Sequence, residues 1–146
     1  MASRNFDPAF ITPLAQNAVN RVAANKADEY QKLIAIHIEI LRARRRKKAK
    51  FSLFNWFPTP YVEPTEEEAR VNACKSDDTW FFSDMASFNH KWDCKEKFVN
   101  NLLRLSQQRT HIGEYVTIDD DDWKSLLSWN SEEERVKCGV VMDCSY

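Results

Sequence analysis

Apolar residues at 14, 15, 18, 19, 22 and 23 recur in the rhythm of an amphipathic helix. Thr12 followed by Pro13 supplies an N-cap with proline at the first helical position, and Asn25 can end the helix. Asp28 with Gln31 three residues on has the form of a capping box, so a second helix is predicted from 28 to about 50. Its apolar positions Tyr30, Leu33, Ile34, Ile38 and Leu41 form one stripe, with Ile36 and Ile40 beside it. Residues 34–40 also alternate in the manner of a strand, which isoleucine favours. Good helix formers on both sides decide for helix.

Three spaced prolines, Pro58, Pro60 and Pro64, forbid helix through 58–64 and make an extended connector. Thr65 with Glu68 is a further capping box and opens a short helix to about 75. Phe81, Met85, Phe88, Trp92, Val99, Leu102 and Leu103 recur at three and four residues, the best helical pattern in the chain. Lys95 and Glu96 are its one gap, and Asp93 with Glu96 offers a restart at 94. Residues 112–118 read as a strand, 123–127 as a helix, and Ser131 with Glu134 as one more capping box. Residues 136–142 read as a second strand that pairs with the first. The predicted class is α+β and predominantly helical: a helical N-terminal arm, a proline connector, and a helical body with a small two-stranded sheet. The corresponding partition is 1–57, 58–64 and 65–146, and one compact domain over the whole chain is the alternative.

Composition narrows the chemistry. The chain of 146 residues has two glycines, Gly113 and Gly139, where average usage supplies roughly ten. A P-loop, a dinucleotide fingerprint, a G-x-S-x-G elbow and a kinase Gly-rich loop each need several glycines close together, so all four are excluded. Residues 1–30 show no basic head followed by an apolar run, and no stretch approaches about 18 uninterrupted apolar residues. Cys74, Cys94, Cys138 and Cys144 are too few to staple a chain of this size. Reduced thiols in the cytoplasm are the expectation.

Charge changes the picture most. The net charge of −1 hides a division: residues 1–62 hold 11 basic and 4 acidic side chains, whereas 63–146 hold 10 and 18. Arg42, Arg44, Arg45, Arg46, Lys47, Lys48 and Lys50 place seven cations in nine residues at a predicted helix end. On a helix they wrap most of the circumference, and the field there attracts polyanions by counterion release. Alternatively the run complements the helix dipole and pairs with the chain's own acidic half. Phe51, Leu53, Phe54, Trp56 and Phe57 follow directly. Rings beside cations suit single-stranded nucleic acid or an anionic membrane surface, or else fold back as a hydrophobic plug.

Other clusters carry less. His37-Ile38-Glu39 matches the H-x-E half of the zinc deaminase signature, but the Pro-Cys-x-x-Cys half is missing. His37 lies in an apolar stripe and is expected to be a hydrogen-bonded core histidine. His90 and Cys94, four apart on a predicted helix, are weak metal candidates, with Cys74 or His111 to complete a site. Asp119, Asp120, Asp121 and Asp122 lack the EF-hand spacing and read as the N-terminal cap of the next helix.

No catalytic motif and no cofactor motif is present, and the expectation is a non-enzymatic accessory or regulatory protein that binds and modulates a partner. A protein partner is placed first, as for a virus-encoded inhibitor of a host complex. Its basic surface would meet the acidic side chains Asp119, Asp120, Asp121, Asp122, Glu132 and Glu133. Nucleic acid bound by 42–57, with Phe54 and Trp56 stacking, is the alternative. Peripheral membrane attachment through the same segment is the third. Near-neutral net charge weighs against a dedicated nucleic-acid binder, because the acidic half repels phosphates.

Overall fold

Residues 3–51, 60–75 and 83–140 are described by a computed structural model. They form a predominantly helical α+β fold with five helices and one two-stranded antiparallel sheet. In chain order these are β1 (Ser3–Phe6), α1 (Pro8–Phe51), α2 (Glu66–Ala73), α3 (Asp84–Ile112), β2 (Val116–Asp119), α4 (Asp120–Ser128) and α5 (Glu132–Lys137). Among the described residues no helix is long and apolar enough to cross a membrane.

The two N-terminal helices expected at 13–25 and 28–50 are one helix of 44 residues. Its start is Asp7-Pro8, not Thr12-Pro13. Asp7 Oδ1 accepts from the Ala9 N–H at 2.9 Å, and its carbonyl accepts from Phe10. Thr12 donates its hydroxyl to the Pro8 carbonyl at 2.9 Å, inside the helix. Pro13 lacks the N–H that would reach the Ala9 carbonyl, and both residues are exposed, so water can take that place. Asp28 caps nothing: it pairs with Lys32 one turn on, at 3.1 Å, and supports the continuous helix.

The chain divides into two compact units, Met1–Asn25 with Trp92–Tyr146, and Lys26–Lys91. Packing sets this grouping, whereas the partition at 58–64 follows prolines and charge. Both α1 and α3 contribute residues to each unit.

In the first unit, Ile11, Leu14, Ala15, Ala18 and Val22 of α1 are buried, as are Val99 and Leu102 of α3. Val116 and Ile118 of β2 point inward with Leu126 of α4, while Thr117 points out and donates to Asn5 Oδ1. The expected partner of the 112–118 strand was 136–142, but β2 pairs with β1, Ser3 opposite Asp119 and Phe6 opposite Val116. Helix accounts for both displacements. The α3 helix runs on to Ile112, where Gly113 at φ 73° lets the Glu114 N–H reach back to the Arg109 carbonyl. At the end of α5, Gly139 at φ 84° lets Val140 reach Arg135 in the same way. Residues 136 and 137 are therefore helical, and 141 and 142 lie outside the described residues. Phe6 stacks on Trp123 at 4.5 Å and fixes β1 on α4. Lys95 stands over Trp92 at 4.7 Å and over Trp129 at 5.3 Å.

In the second unit, Ile34 of α1, Ala69 and Ala73 of α2, and Met85 and Phe88 of α3 are buried. Thr65 caps α2 by accepting from the Glu68 N–H. Ser83 caps α3, its hydroxyl accepting from Ala86, so that helix begins at Asp84. No restart occurs at 94. Phe81 lies outside the described residues.

Candidate functional site

The basic end of α1 is built together with the connector and α2, all within the second unit. Arg42 pairs with Glu39 one turn back and with Glu63 of the connector. Arg45 donates to the Val62 carbonyl at 2.9 Å and pairs with Glu68 of α2. Arg44 reaches Asn72 Oδ1 at 3.3 Å. Three of the expected phosphate ligands are thus committed inside the protein, holding 62–72 against α1. Arg46, Lys47 and Lys48 are exposed and make no ion pair among the described residues. The Lys50 side chain, Phe54 and Trp56 lie outside them.

Electrostatics fit this clamp. The Arg42 guanidinium holds the Glu63 carboxyl below the usual carboxylate range, against an opposing effect of burial. Burial and the hydrogen bond to Glu63 push the Tyr61 hydroxyl above the usual phenol range, so it stays protonated and donates at 3.0 Å. A carboxylate depressed in the folded state stabilises the clamp above its unfolded pKa, and that contribution is lost as pH falls through the folded value. The Glu63 carboxyl carbon should therefore titrate in NMR with a midpoint below the ordinary value of about 4.3. Arg42→Gln should return the midpoint toward that value. A wild-type midpoint at or above it would show that the Arg42–Glu63 pair does not form in solution.

A pocket of about 300 Å³ opens on this clamp, lined by Arg45, Lys48, Pro60, Tyr61, Val62 and Glu68. Tyr61 and Val62 are exposed at its wall, 42% and 62% respectively. Apolar walls with one uncommitted ammonium at the edge suit an apolar side chain flanked by an acid. Sequence reading named the cations, and Glu68 as a capping residue, but missed Tyr61, Val62, Glu63 and Asn72. Nothing in the local pattern marks Val62, Glu63 and Asn72, since their arginine partners lie 17 to 28 positions away.

The acidic side chains divide between structural and exposed positions. Asp119 is the N-cap of α4, accepting from the Asp122 N–H at 2.8 Å, and Asp120 lies 3.5 Å from Arg4. Burial, then repulsion from Asp119 and Asp121, pushes the Asp122 carboxyl above the usual range. Ser131 and Glu134 form the expected capping box of α5, and Glu134 also pairs with Arg21. Asp121, Glu132 and Glu133 are exposed. Asp119–Asp122 thus cap and charge a helix start, with only part of the run left facing solvent.

His37 is the hydrogen-bonded core histidine that its stripe implies, 5% exposed. Arg44 fixes the Asn72 amide by donating to its Oδ1, so Asn72 Nδ2 donates to His37 Nδ1 at 2.8 Å. His37 Nε2–H is then left to donate to Asp84 Oδ2 at 2.8 Å. Both ring nitrogens are engaged, and neither faces a nucleophile. His90, His111, Cys74 and Cys94 are exposed. Among the described residues no three His, Cys, Asp or Glu side chains converge on a point where they could hold a metal ion. Compared with known proteins, the chain matches no family model, no curated protein and no solved structure.

Proposed function

We propose that this chain is a non-enzymatic accessory or regulatory protein that binds a protein partner through the basic end of α1. One observation carries the reading: the arginines best suited to phosphate, Arg42, Arg44 and Arg45, are spent on Glu39, Glu63, Asn72 and Glu68. What they build is a pocket with apolar walls and an acidic member, Glu68. Arg45 is paired with Glu68 and has little left to offer a phosphodiester, whereas an apolar side chain with a neighbouring acid finds Val62, Tyr61 and Lys48. Arg46 and Lys47 add long-range attraction for an acidic partner surface. Binding here would modulate the partner by occlusion, as an inhibitor does. Cys74, Cys94 and Cys138 are free thiols, which suits a protein of the reducing cytoplasm.

The test is capture from cell lysate by the tagged chain, with and without nuclease. Val62→Asp and Lys48→Glu alter exposed side chains and should leave the circular dichroism spectrum unchanged. Each should weaken capture of the protein partner about tenfold, and nuclease should have no effect. Capture abolished by nuclease, with a steep dependence on salt, would favour the nucleic-acid alternative and sink the protein reading. Undiminished capture by Val62→Asp would remove the pocket from it.

A further inference from the structure

Two hydrogen-bonding orders compete at His37, all within the second unit. Its buried ring meets Asp84 Oδ2 through Nε2 and Asn72 through Nδ1, each at 2.8 Å. The far end of the Asn72 amide takes the Arg44 guanidinium at 3.3 Å. Arg44 lies seven positions beyond His37, on the same face of α1. A carboxamide has one accepting end and one donating end, and a guanidinium has only donors. Arg44 therefore claims Oδ1 and leaves Nδ2 for the ring. That order fits only the neutral imidazole, with Nδ1 as acceptor. An imidazolium donates from both nitrogens and fits only the reversed amide, Oδ1 toward the ring. Nδ2 then faces the donors of Arg44 and holds nothing.

We propose that His37, Asn72 and Arg44 form a proton-driven relay that releases the Arg44 guanidinium when the imidazole takes a proton. The proton adds at Nδ1, Asn72 turns its amide over, and Nδ1–H donates to Oδ1. Nε2–H keeps its bond to Asp84, whose carboxylate becomes the counter-charge. Amide oxygen and nitrogen are nearly the same size, so the reversal needs no backbone movement. Arg44 is exposed, and water takes the place of its lost bond at small cost. The other charges of the packed elements are held elsewhere. On α2, Glu67 pairs with Arg70 and Glu68 with Arg45, while Glu66 and Cys74 are exposed. On α3, Lys91 bonds Glu29 of α1. On α1, the flanking turns carry Leu33, Ile34, Ile40 and Leu41, with Tyr30 beyond them against Phe88. Acidification thus adds Arg44 to the exposed cations Arg46, Lys47 and Lys48, and the basic end draws anions more strongly.

NMR of the full chain, labelled with 15N in its side chains, tests the relay as pH is lowered until the ring signals report imidazolium. The Asn72 amide and Arg44 guanidinium signals should change together with the ring. Rotation of the guanidinium about its Nε–Cζ bond should quicken as its bond is lost. Arg44→Met changes an exposed side chain and frees the amide, so the proton affinity of His37 should rise about threefold. Lys47→Met removes a cation from the same helix end without touching Asn72, and should change that affinity little. In Asn72→Leu, Arg44→Met should lose most of its effect, since only loss of a charge remains. An Arg44 signal indifferent to protonation of His37 overturns the relay, as does a ring that stays neutral until the chain unfolds. Equal effects of Arg44→Met and Lys47→Met would reduce the coupling to bulk charge and overturn it as well. None of these outcomes depends on what the basic end binds.

Discussion

Asn130→Ala should lower the free energy of unfolding by about 3 kcal/mol, the largest loss expected from any single polar truncation in the first unit. Asn130 stands between α4 and α5, is 4% exposed and is fully used. Its Nδ2 donates to the carbonyls of Leu14 on α1 and Leu126 on α4, at 3.1 and 3.0 Å, and its Oδ1 accepts from Asn17 at 3.0 Å. Alanine leaves the Leu14 and Leu126 carbonyls without this donor in a buried place, while half-buried Asn17 can turn to water, at about 1–3 kcal/mol for an orphaned group. The helical carbonyls retain their own bonds, which keeps the sum near the upper end of one such loss. Urea unfolding followed by tryptophan fluorescence measures it, with Trp129 adjacent in sequence. Asn130→Asp separates hydrogen bonding from packing. The carboxylate keeps the shape but presents a negative oxygen to two carbonyls, so aspartate should be no better than alanine and is expected to be worse. An aspartate variant close to wild type would show that shape alone matters at this position.

His37→Ala should cost a similar amount, about 3 kcal/mol, but in the second unit. Deleting the ring opens a cavity beside Ile34 and removes the acceptor for Asn72 and the donor to Asp84. The three helices of that unit meet at this imidazole: α1 carries it, α2 carries Asn72 and α3 begins at Asp84. Amide exchange in Glu66–Ala73 should therefore rise more than exchange in Glu132–Lys137. Asp84→Asn should cost under about 1 kcal/mol, because the Asp84 side chain is 63% exposed and water can replace its bond. Equal losses for the two variants would mean that His37 stabilises the unit through its hydrogen bond to Asp84 and not through burial and the Asn72 bond.

Several features were legible in the sequence because they are local. The capping signals at Thr65, Asp119 and Ser131 each open a helix, since the bond they make closes within three residues. The stripe of α3 reads correctly from Met85 to Leu102 because a buried helix face repeats at a fixed interval. The same local rules misplaced the start of α1. Thr12-Pro13 and Asp7-Pro8 are equivalent signals, and only the second lies where β1 ends and the chain must turn. Asp28 and Gln31 match the capping box, yet the helix passes through them, because a cap forms only where the preceding residue leaves helical geometry.

The basic end of α1 divides in the same way. Its position was plain from seven cations in nine residues, but its use was not. Which arginines remain for a partner depends on Glu63, Glu68 and Asn72 arriving from another segment. Ile36, exposed on α1, was visible only as an apolar residue beside a stripe. A helix pattern specifies which residues share a face, not which face a neighbour covers.

By itself the sequence determined the class, the helix starts at Thr65, Asp119 and Ser131, the charge division and the lack of Gly-rich nucleotide-binding motifs. These rest on interactions between residues a few positions apart, or on composition. Tertiary structure alone decided that β2 pairs with β1 and not with 136–142, that Asn72 and Asp84 are the partners of His37, that Asn130 is a buried hydrogen-bond centre, and that Arg42, Arg44 and Arg45 are taken by internal partners. Each of those choices joins residues far apart in the chain. Its energy depends on burial and on competition among distant partners, quantities that no local pattern of side chains encodes.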